Sequence, residues 1–528
     1  MEDQLVKTVS ASTTETSQEF RSQVGHISRH SGVFFAGTIF TAGLGYLFKV
    51  YLARVLGAKE LGLYALGMTL VSFIGIFNTL GLPQSAVRYV ASYKASGKFR
   101  ELHSLLWRGS ALLLGANVLL ALVLLRFGKL VAVHFYHSPQ LVQYLPFFAL
   151  IMLFSVVSSF YGKVLAGYRD LKLRTLFVNF IGVPLNMIVA IALISLGMGL
   201  RGYLSAQIAS AALVSVLLLA AVWHFTPVAA RVLAQSGGFP EKEVWSFSAV
   251  MLGIGFLEFL MAQVDKVALG FYKGIRDVGI YSVAAALVVY VPLVLSSVNQ
   301  IFAPTIADLH TRGEHKLLSR LFQSLTKWVL GITFPLAMVI MVFAHPLMRI
   351  FGSDFEVGWP ILIIGTAGQL INCGVGSVGF LLLMSGNEKR LMRVQTVMAA
   401  VMVVTSVGLI PIWGIYGAAA AGAITNIGMN AWNMLEVRKI MGLSPYNRSY
   451  LRLLLPAGLT LAVIFVLKKY ELVFHHNWLA ILVAMIAAYS VFPAVFYFTA
   501  GLDADDRLIA SALWSRMRAI FLRSGVAA

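Results

Sequence analysis

Long apolar runs recur along the chain from Gly32 to Ala500, and short polar segments separate them. An apolar run of about twenty residues forms a helix long enough to cross the hydrocarbon core of a bilayer. The alternation of period two that marks an outer-membrane barrel is absent from the sequence. We therefore expect an all-α polytopic membrane protein with about fourteen transmembrane helices. The predicted spans are 33–55, 61–82, 106–126, 141–162, 175–196, 202–223, 246–268, 279–302, 325–345, 359–384, 394–412, 414–436, 452–468 and 478–500.

Composition agrees with this class. Hydrophobic residues make up 59% of the 528 positions and charged residues only 12%, against about 25% charged residues in an average soluble protein. The single cysteine, Cys373, excludes an intrachain disulfide and a cysteine-based metal cluster. The loops are too short for a soluble domain, and residues 1–30 are rich in Ser, Thr, Gln and Glu, which predicts a disordered tail.

The net charge of +19 is spread over many short loops, so it indicates membrane topology and not a nucleic-acid partner. Most Lys and Arg residues fall in the segments on one side of the predicted spans. Because basic loops stay in the cytoplasm, both termini are expected there. Residues 501–528 read as an amphipathic helix with basic residues suited to an anionic inner leaflet.

An internal repeat relates the two halves of the chain. GAKELGLY at 57–64 returns as GIRDVGIY at 274–281, and SGKFRELHSL returns as RGEHKLLSRL at an offset of 216. Six helices is an even number, so both copies insert with the same orientation, as in transporters with parallel repeats. The predicted parts are a tail (1–30), two six-helix lobes (31–240 and 241–450), two extra helices (451–500) and a cytoplasmic amphipathic tail (501–528).

The stretches LARVLGAKELGLYALGMTLVSF and NTLGLPQSAVRYVASY resemble the N-terminal signature of polysaccharide-biosynthesis membrane proteins. These are the flippases for lipid-linked oligosaccharides within the multidrug/oligosaccharidyl-lipid/polysaccharide exporter superfamily. The resemblance implies a two-lobed transporter in the bacterial cytoplasmic membrane. It would move an undecaprenyl-diphosphate-linked sugar unit from the inner to the outer leaflet by alternating access. Membrane lipids and the polysaccharide polymerase machinery are the further partners that it implies.

Such a cargo needs cations and hydrogen-bond donors inside a wet cavity. Charged side chains at the centre of a membrane helix cost about 2.5–3.5 kcal/mol, so those present are candidates for the cavity wall. Each candidate has an alternative: a lysine can extend to the interface, an arginine can anchor the inner or outer end of a helix, and an asparagine can bond helix to helix. The candidate cavity residues are Lys49, Arg54, Arg88, Lys266 and Asn299.

Two acidic residues of the seventh helix are candidates for coupling to a proton or another cation. Glu258 and Asp265 are seven positions apart, which places them on one face of a helix. Glu258 lies near the middle of its span, and an acid at that depth is a functional candidate by default. The alternatives are a buried carboxyl group hydrogen-bonded between helices for Glu258 and a simple pair with a lysine for Asp265. The repeat places Thr41 at the position of Glu258.

Two other functions remain open from the sequence. A cation-coupled multidrug antiporter would be expected to carry an acid in the first helix, where this chain has Lys49. A polytopic glycan ligase or polymerase would need a larger outer loop than the segment around His134 provides. The nucleotide-binding pattern G-x-x-x-x-G-K-[ST] does not occur, so an ion gradient or the supply of cargo is the expected drive. We expect a transporter and not an enzyme, without a cofactor or a metal.

Overall fold

A computed structural model describes residues 43–168, 171–227, 242–469 and 477–500. Within these ranges the chain forms helices joined by short turns, without a β-strand. Ten of the described helices are long and apolar enough to cross a membrane, or up to eleven if a bent pair counts as one span. The all-α polytopic class is confirmed, and the expected count of fourteen is compatible with this number. The predicted tails, 1–30 and 501–528, lie outside the described residues.

The first half contains six helices. Helix α1 combines the predicted spans 33–55 and 61–82, because the connection expected between them is reduced to Gly57 with a left-handed φ of 74°. The helices are α1 (Gly43–Asn78), α2 (Leu82–Ala95), α3 (Phe99–Phe135), α4 (Pro139–Gly167), α5 (Leu173–Ser195) and α6 (Gly199–Phe225).

The second half contains more breaks than its predicted spans. Span 279–302 bends by 53° between two helices, and span 359–384 is interrupted at Gly376, whose φ is 77°. The helices are α7 (Lys242–Tyr272), α8 (Ile275–Val288), α9 (Leu293–Thr311), α10 (His315–Val342), α11 (Ala344–Arg349), α12 (Trp359–Val375), α13 (Val378–Met384), α14 (Glu388–Trp413) and α15 (Ile415–Met441), followed by α16 (Leu454–Lys469) and α17 (Asn477–Ala500).

The contacts divide the chain into two compact units. One unit comprises the described residues of 52–282 together with 406–418, and the other comprises the remaining described residues. This division follows contacts and does not follow the repeat, so the lobe boundaries 31–240 and 241–450 stay predictions. In the first unit the core is built from α2, α3, α4 and α6, with Leu82, Leu102 and Phe160 almost fully buried.

The repeat is visible in the backbone as well as in the sequence. Left-handed glycines recur at the offsets that relate the two halves. Gly57 lies within α1 and the other five lie at a helix end or in the turn beside it, and at each a residue with a β-carbon would be strained. The pairs are Gly57 (φ 74°) with Gly274 (φ 108°), Gly97 (φ 68°) with Gly313 (φ 74°), and Gly199 (φ 51°) with Gly414 (φ 57°).

The two copies of the repeated octapeptide contact each other within the first unit. A β-carbon on Gly62 would lie 1.9 Å from the carbonyl oxygen of Ile275, and one on Gly279 would lie 1.9 Å from the carbonyl oxygen of Ala58. Gly279 is the repeat equivalent of Gly62, and Ile275 is the equivalent of Ala58. The contact is therefore reciprocal, and both glycines are required because the two backbones approach so closely.

Candidate functional site

A cavity of about 350 Å³ lies in the unit that contains 52–282, between α1, the start of α2, α4 and α7. Its wall mixes apolar side chains with hydroxyl, amide and carboxylate groups, so water and a polar ligand can enter it. The lining residues are Ser72, Gly75, Ile76, Thr79, Gly81, Pro83, Gln84, Ser159, Met251, Ile254, Gly255, Glu258, Phe259, Ala262 and Gln263.

A sharp break between α1 and α2 shapes one end of this cavity. Leu80 and Gly81 both have left-handed φ values, 48° and 67°, and Pro83 then starts α2. A β-carbon on Gly81 would lie 2.4 Å from the carbonyl oxygen of Ser248, so only glycine allows this approach to α7. The hydroxyl groups of Ser85 and Ser248 are 2.8 Å apart, and this hydrogen bond fixes α2 against α7.

Glu258 lies on the cavity wall, as its predicted role requires. Its side chain is exposed and shares the cavity with the amide groups of Gln84 and Gln263. Water and the neighbouring amide and hydroxyl dipoles of the cavity wall can solvate this carboxyl group at membrane depth. The alternative of a buried carboxyl group held between helices does not describe this position. Its role in coupling stays a prediction.

Lys266 lies one turn beyond the end of the cavity. Its ammonium group donates hydrogen bonds to the side-chain oxygen of Gln263 at 2.8 Å and to the carbonyl oxygen of Ala262 at 3.3 Å. Both acceptors belong to residues that line the cavity. Lys266 therefore contributes positive charge at this end and orients the Gln263 amide.

Asp265 does not line the cavity, although the seven-residue spacing predicted that it would share a face with Glu258. It is buried, and one carboxylate oxygen accepts a very short hydrogen bond from the Tyr281 hydroxyl of α8. The other oxygen accepts the backbone N–H of Lys266 at 2.8 Å. The hydrogen bond to Tyr281 joins α7 to α8. The partner of the Asp265 carboxylate is therefore a tyrosine hydroxyl and not the lysine ammonium group that the sequence suggested. Any role of Asp265 in ion coupling stays a prediction.

The other predicted basic residues lie apart from this cavity wall. Lys49 is half-buried on α1 and belongs to the other compact unit. Arg54 is exposed on α1. Arg88 is exposed on α2, with its guanidinium carbon 5.6 Å from the centre of the Tyr89 ring. Their assignment to substrate binding stays a prediction for all three.

Asn299 and the broken helix that it contacts both belong to the unit that contains 283–405. Its side-chain oxygen accepts a hydrogen bond of 2.5 Å from the Ser377 hydroxyl, which directly follows the break at Gly376. This contact joins α9 to the start of α13, and it agrees with the helix-packing alternative. Substrate binding by Asn299 also stays a prediction.

An apolar groove of about 270 Å³ lies in the second unit, between α10 and α17. Aromatic and aliphatic side chains form almost all of its wall, and Lys327 supplies the one ammonium group. The lining residues are Lys327, Trp328, Gly331, Ile332, Pro335, Leu453, Tyr489, Phe492, Pro493, Phe496 and Tyr497.

Lys327 was not among the candidates that the sequence singled out. Its position near the predicted start of span 325–345 made it one of many basic residues expected in cytoplasmic loops. In the structure it is only 5% exposed and lies within α10, one turn before Gly331. Burial depends on α16 and α17 packing against α10, and no local sequence pattern reports that.

A comparison with protein families matches the polysaccharide biosynthesis protein family over residues 27–310. Among its relatives, the succinoglycan biosynthesis transport protein of Rhizobium meliloti strain 1021 is 27% identical over 330 residues. That alignment covers 61% of this chain and 62% of the relative, so the chain matches less than two thirds of that protein's length.

Solved structures agree with the fold. An inward closed conformation of the lipid II flippase MurJ superposes with a TM-score of 0.65 at 16% identity, covering 88% of this chain and 99% of MurJ. An inward-facing multidrug resistance MATE family transporter of the MOP superfamily gives 0.63 at 14% identity, covering 75% and 94% of the two chains. At these identities the likeness shows the fold alone. With the family match over more than half of its length, the chain belongs to the polysaccharide biosynthesis protein family of multi-pass membrane proteins.

Proposed function

We propose that this protein is a flippase that moves a polyprenyl-diphosphate-linked oligosaccharide from the inner to the outer leaflet of a bacterial cytoplasmic membrane. The carrier is of the undecaprenyl type, and the product is exported for a cell-surface polysaccharide. Movement follows alternating access, with both chain termini in the cytoplasm. Family membership supports this proposal, as do the names of a relative in succinoglycan transport and of a structural neighbour that flips lipid II.

The observation that carries the proposal is the presence of two chemically different sites. The cavity beside Glu258 offers amide and hydroxyl groups that can hydrogen-bond a glycan. The groove beside Lys327 offers an apolar wall to a hydrocarbon chain and one cation to a phosphate next to it. A lipid-linked oligosaccharide contains these same three parts, whereas a small amphipathic drug lacks the long chain and the diphosphate.

The groove gains no hydrophobic free energy by taking a chain from the bilayer, because lipid tails are as apolar as its wall. Selectivity must instead come from the shape of the groove and from the nearly buried ammonium group of Lys327 on its wall. A diphosphate is a suitable anion for such a lysine. The Lys327 ammonium group on the groove wall therefore favours a phosphorylated lipid over an uncharged one.

A matched pair of glycines on α7 tests whether cargo passes the polar cavity. Gly255 lines it and Gly253 does not, and a β-carbon on either would have no heavy atom within 4 Å. Both residues should therefore accept leucine without loss of the fold. In liposomes with a labelled polyprenyl-diphosphate glycan, Gly255→Leu should slow translocation about tenfold, which corresponds to about 1.4 kcal/mol.

Gly253→Leu is the control and should translocate at the wild-type rate. Leaflet exposure of the label is measured with an enzyme or quencher that cannot cross the bilayer. Equal rates for the two variants would show that the cargo does not pass this cavity. If the wild-type protein transported a cationic drug and did not translocate the glycan, the multidrug antiporter function would be favoured instead.

A further inference from the structure

Two hydroxyl groups on the wall of the polar cavity already donate their protons to carbonyl groups of α1. The Ser72 hydroxyl donates to the carbonyl oxygen of Met68 at 2.8 Å, and the Thr79 hydroxyl donates to that of Ile76 at 3.5 Å. A hydroxyl group has one proton to donate and two lone pairs that can accept. Ser72 and Thr79 therefore offer lone pairs, and not protons, to a ligand in the cavity.

Glu258 adds two more acceptors to this wall. Its side chain is exposed and lines the cavity, so a ligand in the cavity can reach its carboxyl oxygens. A carboxylate accepts hydrogen bonds and has none to donate. The part of a ligand that lies beside Glu258 must therefore supply the donors.

The orientation of the Gln263 amide is fixed by Lys266. The Lys266 ammonium group lies 2.8 Å from the side-chain oxygen of Gln263. An ammonium group has three donors and no acceptor, so the amide oxygen and not the amide nitrogen must face it. The NH₂ group of Gln263 is then left for a ligand, and it supplies two donors to the cavity.

The cavity wall thus offers more acceptors than fixed donors. None of the residues that line it is Lys, Arg or His. The Lys266 ammonium group lies outside this set and already donates two hydrogen bonds, to Gln263 and Ala262. The Gln84 amide and the Ser159 hydroxyl can each donate or accept. A ligand that can only accept hydrogen bonds therefore finds few partners on this wall.

A neutral sugar matches this wall, because each of its hydroxyl groups can donate one hydrogen bond and accept others. Glu258 and Gln263 lie five positions apart on α7, about 7.5 Å along the helix axis, so neighbouring hydroxyl groups of one glycan segment can reach both. A sugar carboxylate or a phosphate, by contrast, only accepts hydrogen bonds. Beside Glu258 it would leave acceptors on both sides without a donor, and unpaired acceptors removed from water cost free energy.

We propose that this cavity is a subsite for an uncharged, hydroxyl-rich sugar unit, and that Glu258 is the residue that excludes a sugar bearing a carboxylate. The Glu258 carboxyl group accepts hydrogen bonds from sugar hydroxyl groups, and the Gln263 amide donates to sugar oxygens. The diphosphate of the same cargo lies outside this subsite, because it also accepts without donating. This substrate class rests on the proposed flippase function, which by itself does not specify the charge of the glycan.

The test compares two cargoes with the same polyprenyl diphosphate and the same linkages, one built from glucose and the other from glucuronic acid. A hydroxymethyl group of the first sugar is a carboxylate in the second. In liposomes, the wild-type protein should translocate the glucose cargo at least about tenfold faster than the glucuronic acid cargo. Glu258→Gln replaces one carboxyl oxygen with an NH₂ group that can donate to the sugar carboxylate. Its preference should fall below about threefold, mainly because the glucuronic acid cargo moves faster.

Asp308→Asn is the matched control, since it also removes one carboxyl group, but Asp308 is exposed on α9 in the other compact unit and does not line the cavity. This variant should keep the wild-type preference. Equal rates for both cargoes in the wild type, or an unchanged preference in Glu258→Gln, would overturn the proposed specificity and leave the flippase function intact. If neither cargo moved, the flippase function itself would be wrong, and the subsite for a neutral sugar would be wrong with it.

Discussion

The two octapeptides at 57–64 and 274–281 have the same structural role, whereas the hydrogen-bonded residues Asn78 and Asn117 have no asparagine counterparts in the second half. Each octapeptide begins with a left-handed glycine, and each presents a second glycine, Gly62 or Gly279, to the backbone of the other copy. At Asn78 and Asn117, by contrast, the repeat substitutes Leu295 and Thr333. Residues that the halves share thus shape the backbone.

Residues that the halves do not share carry the candidate chemistry. Glu258 replaces the Thr41 of the first half by sequence offset, although Thr41 itself lies outside the described residues. The groove beside Lys327 depends on α17, which lies after the repeat. Polar or charged side chains at membrane depth cost free energy, so they persist where a ligand or ion uses them. Departures from the repeat are therefore better guides to candidate functional residues than the repeat itself.

The largest effect is expected from substitutions that break the contact between the two octapeptides. Gly62→Ala and Gly279→Ala each place a methyl group 1.9 Å from a carbonyl oxygen, so the two backbones must separate. We expect each variant to lose about 3 kcal/mol of stability, the upper part of the range for overpacking. Because the contact is reciprocal, the two losses should be equal. Thermal unfolding of the purified protein in detergent measures both.

The control for this pair is Gly115→Ala on α3, where a β-carbon would have no heavy atom within 4 Å. Alanine favours a helix over glycine by about 1 kcal/mol, so this variant should be at least as stable as the wild type. If only one of Gly62→Ala and Gly279→Ala lowered stability, the contact would not be reciprocal. The claim that the two octapeptides have the same structural role would then be wrong.

A smaller effect is expected from filling the apolar groove. Gly331 lines it, and a β-carbon there would lie 3.6 Å from Phe492, in ordinary contact. Gly331→Leu should raise the KM for a long-chain polyprenyl-diphosphate glycan about tenfold, or 1.4 kcal/mol, because leucine occupies the space of the chain. A short-chain analogue should be affected much less. Translocation into liposomes with both substrates gives the two KM values.

The matched control is Gly458→Leu on α16, an exposed position with open space around it that does not line the groove. It should leave both KM values unchanged. An equal effect of Gly331→Leu on the KM values of long-chain and short-chain substrates would show that the hydrocarbon chain does not occupy the groove.

The fold could be predicted from the sequence because hydropathy reports the length of each span directly. In the described ranges the predicted spans fall mostly on helices, although spans 279–302 and 359–384 each cover two helices and the break between them. Glycines at equivalent positions of the predicted repeat share left-handed backbones. The breaks were missed, since Gly376 and the bend after Val288 lie inside apolar runs without a polar signal. Hydropathy averages over a window and cannot detect one residue that leaves the helix.

The candidate site was only partly predictable. Glu258 was identified because an acid in the middle of an apolar run is conspicuous. Asp265 was placed on the same face by its spacing, but a neighbouring helix supplies Tyr281 and binds it instead. Lys327 was missed because its burial depends on which helices pack together. Such tertiary contacts are not encoded in a local pattern, except where a comparison of the two halves exposes a substitution such as Leu295 for Asn78.

The most direct measurement compares glycan translocation by wild-type protein with that by Glu258→Thr, which gives α7 the residue that the repeat has at this position. Glu258 is exposed on a polar wall, so its loss is expected to cost about 1 kcal/mol and slow translocation about fivefold. The thermal unfolding midpoint should not change, because Glu258 is exposed on the cavity wall. A wild-type rate in Glu258→Thr would contradict the claim that the residues distinguishing the two halves carry the transport chemistry.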